Sequence, residues 1–155
     1  MQYDHEKYIR MAMAQAENGD SPFGAIIVQH GRVVSTGYNA VRSRRDITAH
    51  SEIEAIRAAM LELGTTNLED CILYSNAEPC PMCMATILWA KLPRLIFGAT
   101  SESLSEYVPT MRPTARELAA ANNSPIQITS GILEDLCLVP FRKLSPKPMP
   151  DPTSE

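Results

Sequence analysis

A surplus of basic residues is missing from this chain: its 155 residues hold 14 Lys and Arg against 18 Asp and Glu, a formal net charge of −4. Nucleic-acid binders gather Lys and Arg on one face to neutralise phosphates, so the balance argues against such a partner and for a small or neutral substrate. Also missing are a basic-then-apolar leader and any apolar run near the ~18 residues of a membrane span; a cytoplasmic protein without membrane association is expected. Cysteine is scarce, at four residues. Without a leader, and at this length, a disulfide staple is not required, which leaves metal binding, redox chemistry or core packing. No internal repeat and no linker interrupts residues 1–144, which are expected to form one domain with its own core. Beyond them, SPKPMPDPTSE from Ser145 has four prolines in eleven residues. That density forbids regular structure and predicts a flexible tail.

What is present alternates in a regular way. Asp4 is placed to cap a helix whose apolar positions Tyr8, Ile9, Met11, Met13 and Ala16 run to a stop at Asn18-Gly19. Gly24 to Gln29 and Arg32 to Tyr38 are β-branched segments joined by His30-Gly31, the pattern of a two-residue hairpin. A charged loop, VRSRRD, leads to TAHSEIEAIRAAM, where Thr48 can cap a helix, Ile53, Ile56 and Met60 recur at helical spacing, and Gly64 can stop it. Then come a strand, CILYS (71–75), a helix, PMCMATILWAK (81–91), and a strand, RLIFGA (94–99). The stretch 100–112 reads as a loop, followed by a helix over 114–121, a strand over 126–129 and a helical segment over 134–144. Such alternation predicts crossover units and a sheet covered on both faces. Cys71 and Cys137, in apolar segments, are expected in the core. His5 and His30, at a helix start and a turn, are expected in solvent.

Two short stretches carry chemistry. In AEPCPMCM, Cys80 and Cys83 stand three apart where a strand gives way to a helix, and Pro81 suits the first helical position. Unpaired N–H groups and the helix dipole favour thiolate there. His50 supplies an imidazole from the start of the preceding helix. Two thiolates and one imidazole make three zinc ligands, and three ligands with a fourth position open is the arrangement of a catalytic zinc rather than a structural one. Crossover helices would bring both N-termini to one edge of the sheet, where ligands bind in open α/β folds. His50 and Glu52 do not share a helical face, so Glu52 is expected beside the metal as a proton carrier between water and substrate.

His50-Ser51-Glu52 and Pro79-Cys80-Pro81-Met82-Cys83 fit, at every fixed position, the H-x-E and P-C-x-x-C pattern of zinc deaminases acting on nucleobases. With PFGAIIV, GYN and EPCPMCMATILWA, the chain up to Ala99 resembles the cytidine deaminase superfamily. The resemblance implies a three-layer α/β/α sandwich with a five-stranded mixed sheet, a zinc cofactor, zinc-bound hydroxide as nucleophile, Glu52 as proton shuttle, and a homodimer with each pocket near the interface. It implies that Asn39 binds the base or sugar and that Trp89 lies near the pocket; Phe23 is either core or pocket lining. PCPMC followed by ILWA looks most like the guanine deaminase branch, which converts guanine to xanthine and ammonia. That branch carries an acid in the loop after the fourth strand, for which Glu102 and Glu106 are the candidates here. It also places an aromatic near a C-terminus exchanged between subunits, and here none follows Phe141. The alternatives are a tRNA adenosine deaminase, whose pattern is also PCxMC, a deaminase of cytosine, another pyrimidine or a triazine, and a catalytically silent zinc-binding partner subunit.

Overall fold

The computed structural model describes residues 2–144; the tail expected from Ser145 onward lies outside the described residues. Strand β1 (Gly24–Gln29) is buried along nearly its whole length because it has a partner on each side. It pairs antiparallel with both β2 (Arg32–Tyr38) and β3 (Cys71–Ala77). The expected hairpin turn is there, with His30 at φ 49° and Gly31 at φ 79°, the left-handed pair that matches the twist of the flanking strands. Strands β4 (Arg94–Ala99) and β5 (Gln127–Thr129) add in parallel, giving a five-stranded mixed sheet ordered β2-β1-β3-β4-β5.

Successive strand residues point to opposite faces, and this divides the core in two. On one face Ala25, Ile27, Leu73, Leu95 and Phe97 pack beneath helices α3 (Ser51–Leu63), α4 (Pro81–Trp89) and α6 (Ala115–Ala121). On the other, Ile26, Val28, Ile72, Tyr74 and Ile96 pack beneath α1 (His5–Ala16) and α7 (Glu134–Arg142). Helices therefore cover both faces, as the three-layer expectation required. Cys71 and Cys137 are both buried in these cores. No helix among the described residues is long and apolar enough to cross a membrane.

The placement of α3 matters most for the site. Gly37 on β2 permits it: a Cβ there would meet the Ser51 carbonyl oxygen at 2.2 Å and the Ala55 nitrogen at 2.5 Å. Ser35 on the same strand donates its hydroxyl to the Ala55 carbonyl at 2.7 Å. The first turn of α3 is thus pressed against β2 by close backbone approach and pinned there by a buried hydrogen bond.

Several local expectations change. Thr48 does not cap α3; its hydroxyl donates to Asp46 Oδ1 at 2.6 Å, and His50 takes the cap position. The charged loop contains a single helical turn, α2 (Val41–Arg44), and the stretch after β4 contains another, α5 (Ser101–Leu104), capped by the Thr100 side chain accepting from the Ser103 N–H. Helix α4 ends at Trp89, α7 ends at Arg142, and β3 runs on to Ala77. His5 is half-buried rather than solvated, with Nδ1 3.0 Å from the Tyr74 hydroxyl.

Candidate active site

Two helices begin at a prospective ligand. His50 is the N-cap of α3 (φ −75°, ψ 154°) and Cys80 is the N-cap of α4 (φ −66°, ψ 169°), with Pro81 opening the helix behind it. An N-cap side chain ordinarily accepts from an N–H two or three residues on. Neither does so here. Instead the side chains converge, His50 Nδ1 lying 3.6 Å from Cys80 Sγ and 3.5 Å from Cys83 Sγ. Since His50 precedes the helix on extended backbone, its direction is not tied to the helical face that carries Glu52.

The three ligand atoms fit zinc. Bonds of about 2.0–2.1 Å to nitrogen and 2.3 Å to sulfur at a tetrahedral angle place N and S about 3.6 Å apart, close to the two separations found. His50, Cys80 and Cys83 are the one group of ligand-bearing residues gathered within 4.8 Å among the described residues. Their electrostatics agree. Hydrogen bonding from Cys83 and then from His50 draws the Cys80 thiol down to about 4 against the cost of burial. The bond to Cys80 and then burial push Cys83 far above the ordinary thiol range. The bond to Cys80 also raises His50. Two sulfurs and an imidazole thus crowd one place, where a cation would satisfy all three.

Glu52 stands beside this cluster, 4% exposed. Ser51 donates its hydroxyl to Oε2 at 3.0 Å, and Ser75 Oγ lies 3.4 Å from Oε1 while donating to the Ala77 carbonyl at 2.7 Å. Burial is the largest influence on the carboxyl and raises its pKa. A carboxyl so placed takes up a proton more readily than a solvated one, which suits it to carry protons.

A cavity of about 260 Å³ opens over the cluster. Phe23, Asn39, His50, Glu52, Glu78 and Cys80 form its floor and near side. Leu104, Val108 and Met111, with Ser101, Pro109 and Thr110, form the far wall.

The sequence pattern of the cytidine and deoxycytidylate deaminase zinc-binding region matches residues 2–99. The chain belongs to this deaminase family. Guanine deaminase of Bacillus subtilis is 42% identical over 105 residues, 64% of this chain and 67% of that protein. The tRNA-specific adenosine deaminase of Aquifex aeolicus is 32% identical over 147 residues, 90% of this chain and 95% of that protein. The solved structure of guanine deaminase from Nitrosomonas europaea superposes with a TM-score of 0.78 at 25% identity, covering 90% of this chain and 81% of that one. The chain is thus an enzyme of the zinc-dependent deaminase class, with zinc as its cofactor.

Within this deaminase the candidates named from sequence divide. Asn39 lines the cavity; its side-chain oxygen accepts from Val41 N–H at 3.2 Å, and its NH2 has no bond among the described residues. Phe23 also lines it, backed by an edge-on contact with Phe141 at 5.0 Å. Trp89 does not, being 86% exposed at the end of α4, on the turn that leads away from the metal ligands. Glu102 lines an adjoining groove rather than the cavity, because the α5 turn directs it outward, and exposed Glu106 lines neither.

The second carboxylate in the cavity is Glu78, which sequence reasoning passed over although it directly precedes Pro79-Cys80. Its Oε2 accepts from the Ser101 N–H at 2.5 Å. Leu104 and Val108 were also missed, and their four-residue spacing inside a stretch read as loop was the available signal.

Proposed function

We propose that this deaminase acts on a free nucleobase, converting guanine and water to xanthine and ammonia. The observation that carries this reading is Glu52, buried beside the His50, Cys80 and Cys83 cluster at the base of a cavity of about 260 Å³. Drug-sized ligands occupy about 300–1,000 Å³, so the space suits a single heterocycle. Similarity to guanine deaminase and a second cavity carboxylate, Glu78, which complements the N–H donors on the edge of guanine, favour guanine among the bases.

Held by His50, Cys80 and Cys83, zinc supplies the Lewis acidity that makes water nucleophilic near neutral pH. The chain's own residues do the rest. Glu52 takes a proton from the water and delivers it to the ring nitrogen as C2 is attacked. It then takes the proton of the hydroxyl added at C2 and delivers it to the amino group, which leaves as ammonia while the C2 carbonyl forms. Ser51 holds its Oε2 in place through those transfers by donating its hydroxyl. Asn39 offers its free NH2 to an acceptor on the base, while Phe23, Leu104 and Val108 supply apolar surface and limit water.

The homodimer belongs to the same reading. Leu61 on α3 and Trp89 on α4, 85% and 86% exposed, are large apolar side chains on neighbouring helices and suit a protein partner. Light scattering is expected to return twice the 17.1 kDa chain mass; the single-chain mass would remove the dimer.

One observation favours a second substrate, an adenosine within tRNA: similarity to a tRNA-specific adenosine deaminase extends over 90% of this chain. Against it, Arg44 of the basic cluster is already paired with Glu54. The deciding experiment is ammonia release by zinc-loaded protein from guanine, guanosine, adenine, cytosine, ammeline and a tRNA anticodon stem, with Glu52→Ala as control. Fastest release from guanine is expected; a faster rate on another member overturns guanine.

A further inference from the structure

The far wall of the cavity is built on residues 100–112, a stretch with one short helical turn and few backbone hydrogen bonds of its own. Something outside it must set its position. Two carboxylates grip its root. From β3's end, Glu78 Oε2 accepts the Ser101 N–H. From the start of α7, Glu134 Oε1 accepts three bonds: the Thr100 N–H at 3.0 Å, the Thr100 hydroxyl at 3.0 Å and the Ser103 hydroxyl at 2.8 Å. Thr100 and Ser103 are the residues that open α5, the turn that carries Leu104 and leads to Val108 and Met111.

Glu134 is itself fixed. Helix α7 sits so close to β4 that a Cβ on Gly98 would meet Cys137 Sγ at 2.3 Å. Three residues before Cys137, the carboxylate has little freedom to retreat. The Thr100 N–H, first among its influences, holds the Glu134 carboxyl below the ordinary carboxylate range, as expected of an anion accepting several bonds. Leu133 enters the helix in the left-handed conformation (φ 55°, ψ 35°), which bends the chain sharply just ahead of Glu134.

We propose that Glu134 is a positioning residue for substrate affinity: by gripping Thr100 and Ser103 it sets the wall formed by Leu104, Val108 and Met111, without touching the reacting atoms. This rests on the cavity being the nucleobase site. Glu134 acts on the wall and not on His50, Cys80, Cys83 or Glu52, so its loss should raise KM and leave kcat near its normal value.

The test compares zinc-loaded wild type with Glu134→Ala, Glu134→Gln and Asp135→Ala, using whichever base the protein turns over best. Hydrogen bonds to a charged acceptor are worth enough that Glu134→Ala should raise KM about tenfold while kcat stays within about twofold. Glu134→Gln, which keeps an acceptor oxygen, should recover part of the loss. Asp135→Ala, whose carboxylate has 98% exposure, should behave as wild type. Amide hydrogen exchange across 101–108 should run about tenfold faster in Glu134→Ala. That readout needs no substrate, so it separates failure of this proposal from failure of the nucleobase reading. Unchanged KM together with unchanged exchange, or a fall in kcat accompanied by zinc loss, overturns the positioning role.

Discussion

The two sides of the cavity are built by different means. Its floor hangs from the first turns of α3 and α4, helices whose buried faces, Ala55, Ile56 and Ala59 on one and Met84 and Ile87 on the other, belong to a single core cluster. Its far wall hangs from a short turn clasped by Glu78 and Glu134 through side-chain bonds across 23 and 31 to 34 positions of sequence. The floor carries the chemistry and is as stiff as the core beneath it. Under the proposed function the wall shapes the space for the base, and a few polar contacts hold it.

Breaking the floor should therefore abolish function, while breaking the wall changes affinity. The largest effect is expected from removing both thiolates. Cys80→Ala with Cys83→Ala should take zinc content from about one per chain to none and activity to background, because a lone imidazole does not hold the ion. Elemental analysis checks it; zinc retained by the double variant would mean that the ligands lie elsewhere.

Next in size is Glu52→Ala. General acid–base catalysis contributes about 10²–10⁴-fold, so kcat should fall at least that far. Zinc content should hold, since the carboxylate serves the water and substrate and is not needed as a ligand. Near-normal kcat would remove Glu52 from the mechanism. Loss of metal would make it a ligand and blur the contrast with Cys80 and Cys83.

Gly37→Ala tests whether the floor depends on its scaffold. The added Cβ would stand 2.2 Å from the Ser51 carbonyl, and both nearest atoms are backbone, so α3 must shift. Overpacking of this kind costs about 1–3 kcal/mol, several degrees in Tm, and should lower kcat by tilting His50 and Glu52. Thermal melts and steady-state rates read both. A variant with wild-type Tm and kcat would show that the floor tolerates movement. Glu134→Ala is the opposite case, with affinity weakened and turnover kept.

This division also explains what the sequence showed. The floor was legible because its parts are contiguous: His50 and Glu52 lie two apart, Cys80 and Cys83 three apart, and each group sits where an apolar helix begins. The sheet was legible for the same reason, from β1 and β2 with their His30-Gly31 turn through to β4. The wall was not. Its determinants are a glutamate on α7 and a glutamate at the end of β3 acting on backbone and hydroxyl groups of residues 100–103, and no local pattern announces such bonds. Of the carboxylates, Glu78 lines the cavity and Glu102 does not, because the α5 turn directs Glu102 outward. Thr48 was misplaced as a cap because Asp46, two residues back, holds its hydroxyl more closely than α3 could.

Trp89 gives the smallest expected effect and the sharpest boundary to the site. It stands on the same helix that begins at Cys80, yet about two and a half turns carry it away from that ligand to a position 86% exposed. Truncating an exposed side chain that fills no cavity usually changes stability by no more than about 0.5 kcal/mol. Trp89→Ala should accordingly keep its zinc, keep kcat, and keep KM within about twofold. If KM rises well beyond that, the side chain reaches a substrate through a neighbouring subunit, and light scattering of the same variant should then show a weakened dimer. In that outcome the contrast between floor and wall would extend to a third surface, supplied by a second copy of the chain.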